Sequence, residues 1–429
     1  MTTDQPATPE TPESTRHGLV GVLVVVGAYV VSLALFAPFA VAGDGTFYYA
    51  LTQRLVGEGG SPSAYQWATS LWNAPFYLLG HAIGLPYTAA PPFATGDPFR
   101  DASITVAAGV AALGAVFVAR YAVRQLGLPA NTILLLGALF GTELWFYGVI
   151  EPSYTHAVDA LAFSVAAALV VRLCRGASTG VPGALGMTLA ALVAIRYANV
   201  AALPGFVIPV IVRRDVRQAV AVLGGAVAGA VLLLAVPLAL GLPFGSTAFI
   251  KAGRPGTVSH ASGASVSDLL IPLRMLFAPD RGLLVYAPLC GVALVGFGLA
   301  IASTPRIRVP LVSIGLASLG VLLVYTATGV GWRGGSYAYG QRFLTSLTVI
   351  TLIGLAELYR RRPRLTAVVV VLCTIWSLFI GLNYTYGWEG VTNDRRNADE
   401  IVRLYASGER TPWGFARIVV ARLEDRFTR

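Results

Sequence analysis

The chain of 429 residues is nearly devoid of lysine: Lys251 stands alone, and the net charge of +10 is otherwise carried by arginine. Cysteine and methionine number three each, histidine four, and only 12% of residues are charged. Each scarcity closes off a class. So few ionisable groups cannot solvate the surface of a soluble protein of this length. Cys174, Cys290 and Cys373 lie in or at the ends of apolar segments without metal-ligand spacing, which argues against a disulfide framework or a cysteine metal centre. There is no Walker A sequence, no His-Glu-x-x-His, no Cys-x-x-Cys, and no Gly-x-Gly-x-x-Gly at a strand–helix junction. A nucleotide or structural metal on the cytoplasmic side therefore has no support. The arginines fall mostly in short loops between apolar runs, so the basic balance reads as membrane topology and contact with anionic head groups, not as nucleic-acid binding.

What the chain has in abundance is apolar sequence. Hydrophobic residues make up 55%, and the mean hydropathy is +0.69. This implies an all-α integral membrane protein, because only helices or closed barrels satisfy their backbone inside a bilayer. Runs of roughly 20 apolar residues suit single spans, and about eleven such runs recur. They lie near 19–41, 102–122, 131–150, 157–174, 180–196, 198–212, 218–241, 282–302, 307–329, 343–358 and 365–386. The runs 180–196 and 198–212 also read as one bent helix, since Pro204 and Gly205 interrupt the second. With the N-terminus cytoplasmic, the inside turns hold Arg120 and Arg124, Arg172 and Arg175, Arg213, Arg214 and Arg217, Arg306 and Arg308, and Arg360, Arg361, Arg362 and Arg364. Every inside turn is then arginine-rich, as the positive-inside rule asks. Residues 1–18, rich in Thr, Pro and Glu, read as a disordered cytoplasmic tail, with the 19–41 run as a retained signal anchor.

That orientation leaves the loops 42–101, 242–281 and 330–342, the turn 151–156 and the tail 387–429 outside, where the unusual polar residues collect. Trp67, Trp72 and Tyr87 in 42–101 favour interfacial helices over a folded soluble domain. Asp44 sits just past the first run. It reads either as an acid marking the interface or as a group aimed at a membrane-bound substrate, and Tyr48 falls one turn away on an amphipathic helix. The turn Glu151-Pro152-Ser153-Tyr154-Thr155-His156 is followed by Asp159, which shares a helix face with His156. A capping turn is the plainer reading of that cluster. Glu143, inside the preceding run, is an intramembrane acid and hence a functional candidate.

The run Gly331 to Phe343 combines glycines with Tyr339 and Arg342. Glycine suits close ligand approach or a tight turn, and Arg342 suits a phosphate or a lipid head group. Arg196, Tyr197 and Asn199 interrupt apolar sequence, as a buried polar contact or a ligand site. Lys251, Arg254 and His260 make the loop 242–281 basic, either for an anionic head group or simply as solvated charge.

These features resemble the GT-C class of polytopic glycosyltransferases, which includes protein O-mannosyltransferases and the aminoarabinose transferases of lipid A. Asp44 matches their hallmark acid in the first external loop, and the turn 151–156 their second polar turn. Arg196-Tyr197-x-Asn199 followed by Pro204 is similar to a polar-then-proline segment of bacterial and archaeal members. The runs Leu276 to Pro288 and Gly334 to Phe343 also look like theirs. The resemblance covers residues 19 to about 390, a polytopic domain 19–386, and no oligosaccharyltransferase-type module is expected of 387–429.

The resemblance implies sugar transfer from a polyprenyl- or dolichyl-phosphate donor to a protein, lipid or glycan acceptor on the external face. Asp44 would be the base, Arg342 the main phosphate contact assisted by Lys251 or Arg254, and Glu151 and His156 acceptor-side groups. Tyr48, Arg196 and Tyr339 would complete substrate binding. Many relatives have a second acid where this chain has Gly45, which favours a route without metal, and no cofactor is expected. The competing class is a transporter or lipid-linked-sugar flippase, for which Glu143 and Asp159 would suit a proton relay.

Overall fold

A computed structural model describes residues 12–41, 43–59, 66–88, 99–176, 180–239, 241, 270–279, 282–328, 339–386 and 398–428. Lys251, Arg254 and His260 lie outside the described residues, and for Arg342 the backbone alone is described.

The described residues are helical apart from short connections and one antiparallel pair of two-residue strands, Ala40–Val41 with Phe99–Arg100. The protein is an all-α membrane protein. Six described helices are long and apolar enough to cross a bilayer, or seven if one bent pair counts as a single span. Three shorter apolar helices, Gly180–Ile195, Tyr197–Arg213 and Pro288–Ser303, fall below that length. Helix length therefore does not establish eleven spans. The runs 180–196 and 198–212 form two helices, Gly180–Ile195 and Leu203–Arg213, joined by the 3-10 turn Tyr197–Ala202. The run 343–358 becomes a 3-10 turn, Arg342–Leu347, and a helix, Thr348–Arg361, in which every residue from Thr348 to Glu357 is buried. It is a central helix, sheathed by protein on all sides.

Small residues set the packing. Ala108, Ala111, Ala112, Ala115 and Ala119 of the helix Ala102–Gln125 are buried, as are Ala157, Ala160 and Ala167 of His156–Cys174, the helix it packs against. Close backbone approach of this kind is the usual source of helix association in lipid. At the N-terminus, helix Pro12–Phe36 begins inside the stretch expected to be a disordered tail. At the other end, 398–428 forms two helices, Ala398–Ala406 and Pro412–Thr428. They are tied to the last long helix by Tyr405 Oη donating to Asn383 Oδ1 at 3.1 Å and by Phe379 against the rings of Tyr405 and Phe415.

The run expected to be one straight span at 131–150 is broken. Helices Thr132–Phe140 and Glu143–Ile150 meet at 64°, and the second limb winds as a π-helix over Phe146–Ile150. The break is satisfied locally: Thr142 Oγ1 accepts from Leu144 N at 3.2 Å, and the Gly141 carbonyl accepts from Ser377 Oγ at 3.2 Å. Substitute donors of this sort let a helix break at membrane depth.

The segment 42–101 contains the helices Gly45–Leu55 and Ala68–Ala82. They are closed by the strand pair and by Asp101. This acid is 1% exposed, caps helix Ala102–Gln125 through Ser103 N at 2.8 Å, and accepts from Tyr49 Oη at 2.9 Å. His81 Nε2 lies 3.0 Å away. Burial, with the Asp101 charge second, pushes the Tyr49 hydroxyl well up, and burial with the Glu58 carboxylate pushes Tyr77 up to about 12. Asp101→Ala leaves these donors unmatched and is expected to cost about 1–3 kcal/mol. Limited proteolysis within 42–101 would report the loosened clasp, and an unchanged cleavage pattern would show that the strand pair suffices.

Candidate functional site

Asp44 occupies the N-cap position of helix Gly45–Leu55, directly after Gly43, whose φ of 53° is left-handed. Thr46 Oγ1 donates back to Gly43 O at 2.8 Å and tightens the corner. The glycines on both sides of Asp44 are seated on the polar turn 151–156: a Cβ on Gly43 would strike the Tyr154 hydroxyl, and one on Gly45 would strike Ser153. The corner bearing Asp44 and the turn bearing Glu151 and His156 are thus in van der Waals contact, over a hundred residues apart in sequence. Gly45→Ala is expected to cost about 1–3 kcal/mol through overpacking, read as a lowered melting temperature in detergent; an unchanged melt would mean that Ser153 yields freely.

Tyr48, one turn after Asp44, is buried and bonds along the loop. Its hydroxyl donates to Gln66 Oε1 at 3.4 Å, and its carbonyl accepts from Ser70 Oγ at 2.8 Å. Thr69 and Thr155 hydroxyls meet at 2.7 Å, a second tie, here between helix Ala68–Ala82 and the turn. Glu151 is 5% exposed and ends the π-helical limb.

His156 opens helix His156–Cys174 and is buried. Its ring lies 4.5 Å from that of Tyr147 and 5.7 Å from that of Tyr154, with Nδ1 3.4 Å from Arg196 Nη1. Arg196 pairs with Asp159 at 3.3 Å, and Asn199 Nδ2 donates to Asp159 Oδ1 at 2.6 Å. The guanidinium also lies 5.1 Å over the Tyr325 ring. Arg196 and Asn199 therefore enter a buried polar cluster with His156 and Asp159, and these contacts account for the burial of the cation.

Tyr339 is fully enclosed. Its ring stacks on Phe146 at 4.0 Å and meets Tyr286 and Tyr384 edge-on at 4.9 and 5.4 Å. Its hydroxyl donates to Ser377 O at 3.1 Å. Burial, with the Glu143 charge second, pushes that hydroxyl well above the ordinary tyrosine range. Arg342 opens the 3-10 turn three residues on.

Two contributors lay outside the residues singled out in the sequence. Tyr147 joins the two halves of the region, its ring against His156 and its hydroxyl donating to Tyr339 O at 2.7 Å. Its position one turn after Glu143 on a common helix face was the available signal. Asp101 was the other, and an acid just before a long alanine-rich helix is an N-cap pattern.

No protein-family model matches the chain, and no curated protein matches it in sequence. Among solved structures, the oligosaccharyltransferase of Archaeoglobus fulgidus, in complex with Zn and sulfate, aligns with a TM-score of 0.50 and 11% identity over 92% of this chain and 55% of that one. The archaeal oligosaccharyltransferase AglB from Archaeoglobus fulgidus, in complex with an inhibitory peptide and a dolichol-phosphate, aligns with a TM-score of 0.45 and 14% identity over 92% of this chain and 59% of that one. The chain thus spans between 55% and 59% of the length of these neighbours. The likeness is one of fold alone.

Among the described residues no three His, Cys, Asp or Glu side chains gather as possible metal ligands. The position after Asp44, packed on Ser153, has no room for a second acid.

Proposed function

We propose that this GT-C-fold membrane protein is a glycosyltransferase that moves a sugar from a polyprenyl- or dolichyl-phosphate donor to an acceptor hydroxyl at the external face, with Asp44 as general base. The observation that carries this reading is the seating of Gly43 and Gly45 on Tyr154 and Ser153. It gathers the acid after the first span and the second polar turn at one end of the bundle, where a lipid-borne donor and a water-borne acceptor can meet.

The chemistry asks for two things. As the acceptor oxygen bonds to the anomeric carbon, its proton must be taken, and a carboxylate at the membrane face can take it. As the bond from that carbon to the phosphate oxygen breaks, the departing lipid phosphate gains charge, which a fixed guanidinium stabilises. Arg342 is the proposed phosphate contact, with Lys251 or Arg254 assisting, and Glu151 and His156 order the acceptor. Tyr48 and Tyr339, both buried, shape the walls, and Arg196, in its pair with Asp159, backs His156 on the acceptor side. The topology in this reading is eleven spans, with the N-terminus cytoplasmic and the C-terminus external.

The rival transporter reading leans on Glu143 and Asp159 as a proton relay. Asp159 is held by Arg196 and Asn199, and Glu143 by a backbone amide, which favours fixed roles for both. The test is incubation of the purified protein with a radiolabelled sugar on polyprenyl phosphate, followed by mass spectrometry of acceptor pools. Label on an acceptor is expected. Uptake of the lipid-linked sugar into proteoliposomes without any transfer would sink the enzyme reading.

A further inference from the structure

Glu143 is an acid for which the proposed reaction has no use. It is 2% exposed, it starts the second limb of the bent helix, and its Oε2 has no hydrogen-bond partner among the described residues. A buried carboxyl so poorly matched costs stability, so its retention calls for another reason.

Its one strong contact supplies that reason. Oε1 accepts the backbone N–H of Gln341 at 2.6 Å, across 198 residues of sequence. Gly340 has a left-handed φ of 53° and lies so close over the same carboxylate that a Cβ would collide with Oε1. A glycine there meets both demands. One turn further along the limb, Tyr147 Oη donates to Tyr339 O at 2.7 Å. Two side chains of the bent limb thus grip the three residues directly before Arg342. The limb is itself braced against this segment by Phe146 stacked on Tyr339.

We infer that Glu143 is a positioning residue for the donor phosphate: its bond to Gln341 N–H, with Gly340 packed on the carboxylate, fixes the backbone that carries Arg342. This rests on Arg342 as the phosphate contact. The bend in the helix then has a purpose, since it turns Glu143 and Tyr147 onto the segment that a straight span would pass by. A displacement of the order of 1 Å in such a contact is enough to cost about a hundredfold in a reaction.

The experiment compares Glu143→Gln, which keeps a carbonyl acceptor for Gln341, with Glu143→Leu, which does not. The readouts are equilibrium binding of labelled polyprenyl monophosphate to the full-length protein in detergent, and its melting temperature. Glu143→Gln is expected to bind within about threefold of the unmodified protein, and Glu143→Leu about tenfold more weakly, the size of one lost buried hydrogen bond. The Leu variant should melt no more than about 4 °C lower, because loss of the bond is offset by removal of a mismatched acid. Ser377→Ala, which loosens the same neighbourhood but leaves the Gln341 contact, should bind normally. Unaltered affinity in Glu143→Leu overturns the inference, and so does equal loss in Glu143→Gln, or weakened binding in Ser377→Ala of the same size. Failure of the unmodified protein to bind polyprenyl phosphate is a different result, which removes the donor reading beneath it.

Discussion

Asp44→Asn is expected to lower sugar transfer by about 10²–10⁴-fold, the usual contribution of a positioned general base, and to leave the fold intact. The two side chains are nearly isosteric, and Asn is as good an N-cap residue as Asp. In the structure the Asp44 side chain makes no capping bond, so that contact is not at stake. One general loss is the attraction of a negative charge to the N-terminus of helix Gly45–Leu55, about 0.3–1 kcal/mol. Activity and stability are therefore expected to separate widely. The measurement is transfer from a labelled polyprenyl-phosphate sugar beside a melt of the same preparation. An Asp44→Asn protein with full transfer would remove Asp44 as the base, while loss of activity in step with loss of the fold would reassign it to structure. Donor binding offers a further check, since a base for the acceptor hydroxyl should change turnover with little change in donor affinity.

Asp44 stood out because an unbroken apolar run ends just before it; the helix itself, Pro12–Phe36, stops eight residues earlier, and the strand Ala40–Val41 lies between. The same logic located the other long helices, since a stretch of apolar residues has few alternatives to helix in lipid. It could not locate the bend at Gly141 and Thr142. Apolar sequence flanks that point on both sides, and beside Thr142 one of the groups that satisfy the break, Ser377, comes from 236 residues away. Length also misleads where a helix is sheltered by protein. Thr348–Arg361 has only 14 residues but is buried over most of them, so its apolar character records neighbours, not bilayer thickness. Asp101 was missed for a related reason: its partners Tyr49 and His81 precede it by 52 and 20 residues. Arg196 stayed open between a buried contact and a ligand site because nothing nearby in sequence balances it. Its counter-charge, Asp159, lies 37 residues earlier on a different helix.

That pair yields the largest stability effect expected in this protein. Asp159→Leu takes the carboxylate partner from the buried Arg196 guanidinium, and breaking one side of a buried pair typically costs about 3–5 kcal/mol. Asn199 loses its 2.6 Å acceptor at the same time. Replacing both charged partners, as Asp159→Leu with Arg196→Leu, removes the stranded charge and is expected to recover most of the loss, because two charges buried together often contribute little net stability. Thermal melts in detergent of both single variants and the double variant measure the coupling directly. The same three proteins decide what Arg196 does for substrate. Its charge is already committed to Asp159, with the Tyr325 ring beneath it, so the refolded double variant should keep a donor KM near that of the unmodified protein. A double variant that melts normally but needs far more donor would show instead that the guanidinium reaches the lipid phosphate, and that Asp159 serves to hold it there.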